Sequence, residues 1–464
     1  MAIKLRPRER DAILQSLRSG VTPRTGFQYI QVGRVKEISA ILQDINRIAD
    51  EGSAFKLVVG DFGAGKSFFL QLVKTIAEEK GIVTMTADLT PERRLQSTNG
   101  FALNLYQELT HNISTRAKPN GNALNSIVEK FITKARLLAD ESNRDCEEII
   151  KELLLPLTDF VGGYDFSSLI LKYWQAFDEG DTDTMQNIIK WLRGEYTSRI
   201  TARQELNVRT IITDASIYDS IKILSAFVQI AGYKGLLVSI DEMVNLYKIP
   251  NVRARTANYE QILRMLNDCL QGNTKGLGFI FGGTPDFLED PRRGLHSYEA
   301  LRSRLATNSF AMMAGVNDMS GPVMYLTCLT PEELYVLLTN LRNIFAYYNE
   351  DNYLVPDEAL TKFLEHCSKR IGEAYFKTPR NTIKAFVDFL SVLEQNPELD
   401  WRNLLGSIEI KEEEEALGSE ISSMQQENND DISINQATPK DALKNISESS
   451  EDSDDDDALT SFTL

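Results

Sequence analysis

"VVGDFGAGKSFFL", residues 58–70, places three glycines and a lysine between a strand-like run and a helix-like run. Glycine weakens both kinds of element, so its presence here asks for a reason. The spacing supplies one: Gly60, Gly65, Lys66 and Ser67 fit G-x-x-x-x-G-K-[ST], the phosphate-binding loop. Gly60, Gly63 and Gly65 let the backbone turn tightly and bring its N–H groups onto phosphate oxygens, where a Cβ would obstruct the approach. The stretch Gly60, Asp61, Phe62, Gly63, Ala64, Gly65, Lys66, Ser67 and Phe68 is therefore expected to wrap a nucleotide such as ATP. Lys66 is expected to reach the β and γ phosphates and Ser67 to offer its hydroxyl to Mg²⁺, while the helix that follows points its positive end at the anion. Phe55 to Val59 reads as a buried strand and Phe68, Phe69, Leu70, Leu72 and Val73 as a helix against a sheet, which is the order the motif requires.

A magnesium-nucleotide site also needs a carboxylate at the end of a neighbouring strand. "GLLVSIDE", residues 235–242, offers it: Leu236 to Ile240 is a continuous apolar run of the kind found in parallel strands buried on both faces. Asp241 is expected at the strand tip, holding the metal through water, with Glu242 placed to polarise the attacking water.

The 464 residues are too many for one core of ordinary size, so two or three domains plus tails are expected, and 42% hydrophobic residues can bury a substantial core. No run approaches the length of a membrane span and "MAIKLRPRERD" lacks a signal-peptide core, which points to the cytosol. Cys146, Cys269, Cys328 and Cys367 are scattered without a C-x-x-C pair, and the three histidines do not cluster. Reduced cysteines, with neither a disulfide framework nor a zinc site, are the expectation. The net charge of −17 is uneven: residues 411–464 carry 16 acidic and 3 basic side chains, or −13, leaving −4 for the rest. The acidity belongs mostly to the tail.

Along the chain, residues 1–25 hold a short amphipathic helix and a turn, and residues 31–52 carry Ile38, Ile41, Leu42, Ile45 and Ile48 at helical spacing. Gly33-Arg34, at the start of that helix, fits either a nucleotide base or a helix cap. "GIVTMTADLT" reads as the second strand, closed by Asp88. Strand signals nearly vanish from about 97 to 222 and return at 235–242, at "GLGFIFGGTPDFL" (276–288) and at "VMYLTCL" (323–329). After Thr330 come amphipathic helices, the first opening with proline and acids. From about Glu409 the chain turns to Ser, Asn, Glu and Asp, a composition expected to be disordered. The domains expected are a nucleotide-binding α/β core at 1–96 and 223–330, a helical insertion at 97–222, a helical lid at 331–405 and an acidic tail at 406–464.

With these parts in order, the chain resembles the AAA+ ATPases, a P-loop NTPase fold, and especially the branch of origin-recognition and Cdc6-like proteins. More narrowly, "SLRSGVTPRTGFQYIQVGR", "VVGDFGAGKSFFL", "SIDE", "FIFGGTP", "SYEALRSRL" and "TPRNTIKAF" look like the BrxD-type ATP-binding proteins of phage-defence loci, over roughly residues 10–395. Those loci include BREX and the related Shango operons. The resemblance implies an ATPase working with a TerB-like protein and a helicase or methylase, and with DNA. It also implies roles. Thr284 would orient the attacking water, at a position where Asn is commoner. Arg304, or Arg302 as second choice, would reach a neighbour's γ-phosphate in a homo-oligomer. Arg380 would sense the nucleotide from the lid, or else pair with a local acid.

Three functions compete at this stage. An assembly ATPase would use Arg304 across subunits to act on DNA or a partner enzyme, although no helix-turn-helix or zinc module is apparent. Arg93, Arg94, Arg253, Arg255, Arg292 and Arg293 form only short basic clusters. A slow nucleotide switch would use the same site without DNA. A small-molecule phosphotransferase lacks an acceptor signature. The tail, ending "SEDSDDDDALTSFTL", is either a solubilising segment, a tether with an apolar hook at Leu459, Phe462 and Leu464, or a DNA mimic.

Overall fold

The structure is a computed structural model that describes residues 5–23, 26–315, 318–371 and 379–407. Five strands form one parallel sheet: β1 Ser53–Val59, β2 Val83–Asp88, β3 Leu236–Asp241, β4 Leu277–Gly283 and β5 Val323–Tyr325. Their order across the sheet is β2-β3-β4-β1-β5. β4 thus separates the strand that feeds the phosphate loop from the strand that ends in Asp241. This is an α/β, P-loop NTPase-like architecture.

The apolar runs are explained by cover on both faces. From β1, Phe55, Leu57 and Val59 enter one core while Ala54 and Val58 enter the other. The second core is closed by Val35–Ala49 and Lys66–Glu79, through Ile41, Ile45, Ile48, Phe69 and Val73. The first is closed by the helices between β2 and β3, among them Phe101–His111, Leu124–Ser142 and Ile217–Ile230. Those helices share one continuous core with the sheet. Ser114 also pairs with Thr84 as an isolated antiparallel bridge, so the outer edge of β2 is covered.

β5 is shorter than the seven residues expected from "VMYLTCL". It pairs only with Leu57 to Val59 of β1, and after Leu326 donates its N–H to the Val59 carbonyl at 2.7 Å the chain leaves the edge. Leu326 and Leu329 pack against helices instead of extending the pairing.

Pro331–Phe345 starts where Thr330 and Glu333 form a reciprocal capping box. It packs with Asp357–Ile371, Pro379–Gln395 and Trp401–Ser407 in a third core. The N-terminal helix Pro7–Arg18 belongs to that core too, through Ile13, Leu14 and Leu17. Arg10 secures it: buried, it lies over the rings of Phe345 and Tyr347, donates Nε to the Phe345 carbonyl at 3.3 Å and pairs with Glu394. The last described helix runs two residues into the segment expected as tail, and the rest of that segment lies outside the described residues. No described helix is long and apolar enough to cross a membrane.

Candidate functional site

The C-terminal ends of β1, β3 and β4 open into a cavity of about 250 Å³. The phosphate loop forms its floor. Gly65 stands at φ +90°, a left-handed conformation costly for any residue with a Cβ, and ends the loop as the N-cap of Lys66–Glu79. No side chain caps this helix, so its first N–H groups remain available to an anion. Phe62, Gly63, Ala64, Gly65, Lys66, Ser67 and Phe68 line the cavity, while Gly60 and Asp61 act through their carbonyls. These accept from Lys66 Nζ at 2.7 and 2.8 Å, and the same ammonium lies 5.3 Å from the centre of the Phe62 ring. Burial lowers the Lys66 pKa, against the pull of Asp241, Glu242 and Asp61.

The acid pair sits opposite. Ser67 Oγ donates to Asp241 Oδ2 at 2.6 Å, and Asp241 Oδ1 accepts the Glu242 N–H at 2.8 Å. Gly282 of β4 leaves room for this carboxylate, since a Cβ there would fall 2.3 Å from Asp241 Oδ1. Glu242 turns at φ +58° and lines the cavity. Burial raises its pKa, helped by the charges of Asp241 and Asp88, with Lys66 opposing. Asp88, level with Asp241 across the β2–β3 pairing, is likewise raised by burial and by Asp241. Among the described residues no group of three or more His, Cys, Asp and Glu is arranged to hold a metal. A cation here would depend on the Ser67 hydroxyl, Asp241 and the ligand's own oxygens, a donor set that suits Mg²⁺.

Thr284 follows β4, buried at the cavity wall, where its hydroxyl accepts the Phe287 N–H at 3.3 Å and caps Pro285–Glu289. Arg380 reaches the cavity from Pro379–Gln395, its guanidinium against the backbone of Gly20. Arg304 does not line this cavity. It donates Nε to Asn267 Oδ1 at 2.7 Å and Nη1 to the Ala300 carbonyl at 2.9 Å on the exposed surface, and Arg302 faces Glu299 at 3.8 Å.

Of the two parts left open for it, Arg34 takes the helix cap. It is the N-cap of Val35–Ala49, and its half-buried side chain lines the cavity and donates Nη2 to the Ala64 carbonyl at 2.9 Å. It braces the phosphate loop. Its pKa is lowered by burial, against the attraction of Glu37 and Glu333. Sequence reasoning missed the apolar end of the cavity, where Val21, Ile30 and Val32 meet Leu337 and Ile383. Isolated aliphatic residues in segments three hundred positions apart carry no motif that could have announced it.

The basic clusters separate by environment. Arg93 pairs with Glu108 at 3.0 Å, and Arg94 bonds the Pro91 carbonyl and covers the Phe101 ring. Arg255 is buried and Arg293 half-buried, both turned onto backbone carbonyls. Only Arg253 and Arg292 of the six are exposed with no bond from the guanidinium among those described.

A family model for the BREX system ATP-binding protein BrxC/D matches residues 5–409, and the chain belongs to that family. No curated protein matches the chain.

Proposed function

We propose that this BrxC/D-family member hydrolyses ATP, and that the observation carrying the proposal is the meeting of Ser67, Asp241 and Glu242 above an uncapped helix N-terminus. The phosphate loop and Lys66 bind the triphosphate, with Lys66 leaving the Gly60 and Asp61 carbonyls to do so. Ser67 and Asp241 hold Mg²⁺, which offsets phosphate charge when bound. Glu242 polarises the attacking water and Thr284 orients it. Arg380 reads the nucleotide from the lid, and the apolar end of the cavity receives the base. In this reading the core at 1–96 and 223–330 carries the chemistry, the lid at 331–405 closes over it together with Pro7–Arg18, and the insertion at 97–222 covers the sheet.

Arg304 completes the site of a second copy, in the manner of AAA+ ATPases, and the resulting oligomer drives a phage-defence complex acting on DNA or on a DNA-processing partner. What supports this is that Arg304 stands outside its own chain's cavity. A slow switch that regulates a partner without DNA is the second reading. It is favoured by the internal use of four of the six clustered arginines, which leaves little basic surface for a duplex.

The test is the light-scattering mass of Glu242→Gln with and without Mg²⁺-ATP, beside wild-type ATP turnover. A nucleotide-dependent multimer with turnover abolished by Arg304→Ala supports the assembly ATPase. A constant monomer that still binds ATP and turns it over independently of Arg304 supports the switch. Turnover undiminished in Glu242→Gln overturns the site.

A further inference from the structure

Directly after Glu242 the chain makes one short helix, Val244–Tyr247, and two arginines from other segments hold its carbonyl end. Arg255, from Val252–Leu270, donates Nη1 to the Ile249 carbonyl at 2.7 Å. Arg293, from the loop after Pro285–Glu289, donates Nη2 to the Tyr247 carbonyl at 3.1 Å and covers the Tyr247 ring at 5.3 Å. Two tyrosines close the group. Tyr247 donates its hydroxyl to Asp290 Oδ2 at 2.7 Å, and Tyr259 donates its own to the Arg293 carbonyl at 2.6 Å. Asp290 Oδ1 meanwhile accepts the N–H groups of Arg292 and Arg293.

Placing a half-buried guanidinium beside a buried one costs stability, and Arg293 Nε is left buried without a partner. Such a cost is tolerated where the geometry it secures matters. The geometry here is that of Glu242, whose φ of +58° a residue with a Cβ keeps only where its surroundings over-determine it. Upstream, Asp241 Oδ1 takes the Glu242 N–H and the Gly282 carbonyl takes the Met243 N–H at 3.0 Å. Downstream, the Asn245 N–H returns to the Glu242 carbonyl at 3.0 Å, and beyond it stand the two arginines.

We infer that Arg255 and Arg293 are positioning residues for Glu242: they pin the far end of the turn whose near end aims the carboxylate into the cavity. This rests on the catalytic reading of Glu242, while the pinning itself is measurable apart from it.

The experiment compares Arg293→Met, Arg293→Lys and Tyr247→Phe with wild type and Glu242→Gln. It measures ATP turnover, affinity for a fluorescent ATP analogue, melting temperature and hydrogen exchange over residues 242–249. Arg293 is chosen over the fully buried Arg255 because its replacement leaves the fold intact more readily. Arg293→Met is expected to lower kcat by roughly tenfold at unchanged nucleotide affinity, because a small misplacement of a catalytic group is felt in the chemical step and not in binding. Arg293→Lys should recover part of the loss, Tyr247→Phe should show a smaller one, and exchange over 242–249 should quicken in Arg293→Met. Unchanged kcat with unchanged exchange overturns the inference, and so does a parallel fall of affinity, kcat and melting temperature. If Glu242→Gln turns ATP over like wild type, the catalytic reading fails instead, and the exchange rates alone then decide whether the arginines hold this turn.

Discussion

The floor and the roof of the cavity are built in different ways. The floor consists of strand ends and the loops that continue them: the phosphate loop after β1, Asp241 at the tip of β3 with Glu242 beyond it, Thr284 after β4. Each polar group there is set by neighbours a few residues away or on a nearby strand end, as Ser67 is by Asp241 across the end of β4. The roof joins the two ends of the described chain, Pro7–Arg18 and Ile30 against Pro331–Phe345 and Pro379–Gln395, around an apolar core of their own. Under the proposed function the chemistry falls to the strand ends, while the roof packs around a core of its own. Floor substitutions should therefore change turnover at constant stability, and roof substitutions should change stability or affinity at constant chemistry.

The largest expected effect tests the floor. Glu242→Gln should cut ATP turnover by about a hundredfold or more, the span of a general base, with ATP affinity retained in a binding titration. A loss of affinity of the same size would erase the division. Next comes the roof's own anchor. Arg10→Met leaves the Phe345 carbonyl without its donor and should cost about 1–3 kcal/mol in denaturant unfolding, while turnover per folded molecule stays near wild type.

Arg380 spans both parts, since it belongs to the lid and lines the cavity. Arg380→Ala, at an exposed position, should weaken ATP affinity by roughly severalfold, the effect of one charge-assisted contact near a phosphate, with little change in melting temperature. The smallest effect is one of pH. Glu242 acts as a base only when ionised, and burial together with the charges of Asp241 and Asp88 raises its pKa. Turnover should thus fall, as pH drops, at a higher pH than for an ordinary glutamate. Asp88→Asn removes one of the raising charges, so the acid limb of the kcat profile should move to lower pH. An unmoved limb would mean that another group sets it.

The comparison also marks what could be read from the residue order. The floor was legible because its signals are short: Gly60, Gly65, Lys66 and Ser67 within eight positions, and an apolar run ending in Asp241-Glu242. Backbone geometry and strand polarity force those groups to the same end of a parallel sheet. The length of β5 was overestimated because "VMYLTCL" is apolar but for Thr327, and apolarity does not say whether a residue pairs with a strand or packs under a helix. The arginine clusters were uninformative for a related reason. Arg255 and Arg293 look like surface charge in the sequence, yet both hold the turn after Glu242, and no spacing rule joins positions 38 apart.

Composition and local order were thus enough for a phosphate loop, an acid pair and an α/β sheet with helices on both faces. Each follows from interactions among residues close in sequence or from the periodicity of a single element. The pairing of the N-terminal helix with the lid, the apolar end of the cavity, the brace from Arg34 to Ala64 and the arginines behind Glu242 came from the fold. They join residues tens to hundreds of positions apart through side-chain packing and hydrogen bonds to backbone carbonyls. Nearly any apolar or basic residue can make such contacts, and only the folded chain selects which ones do.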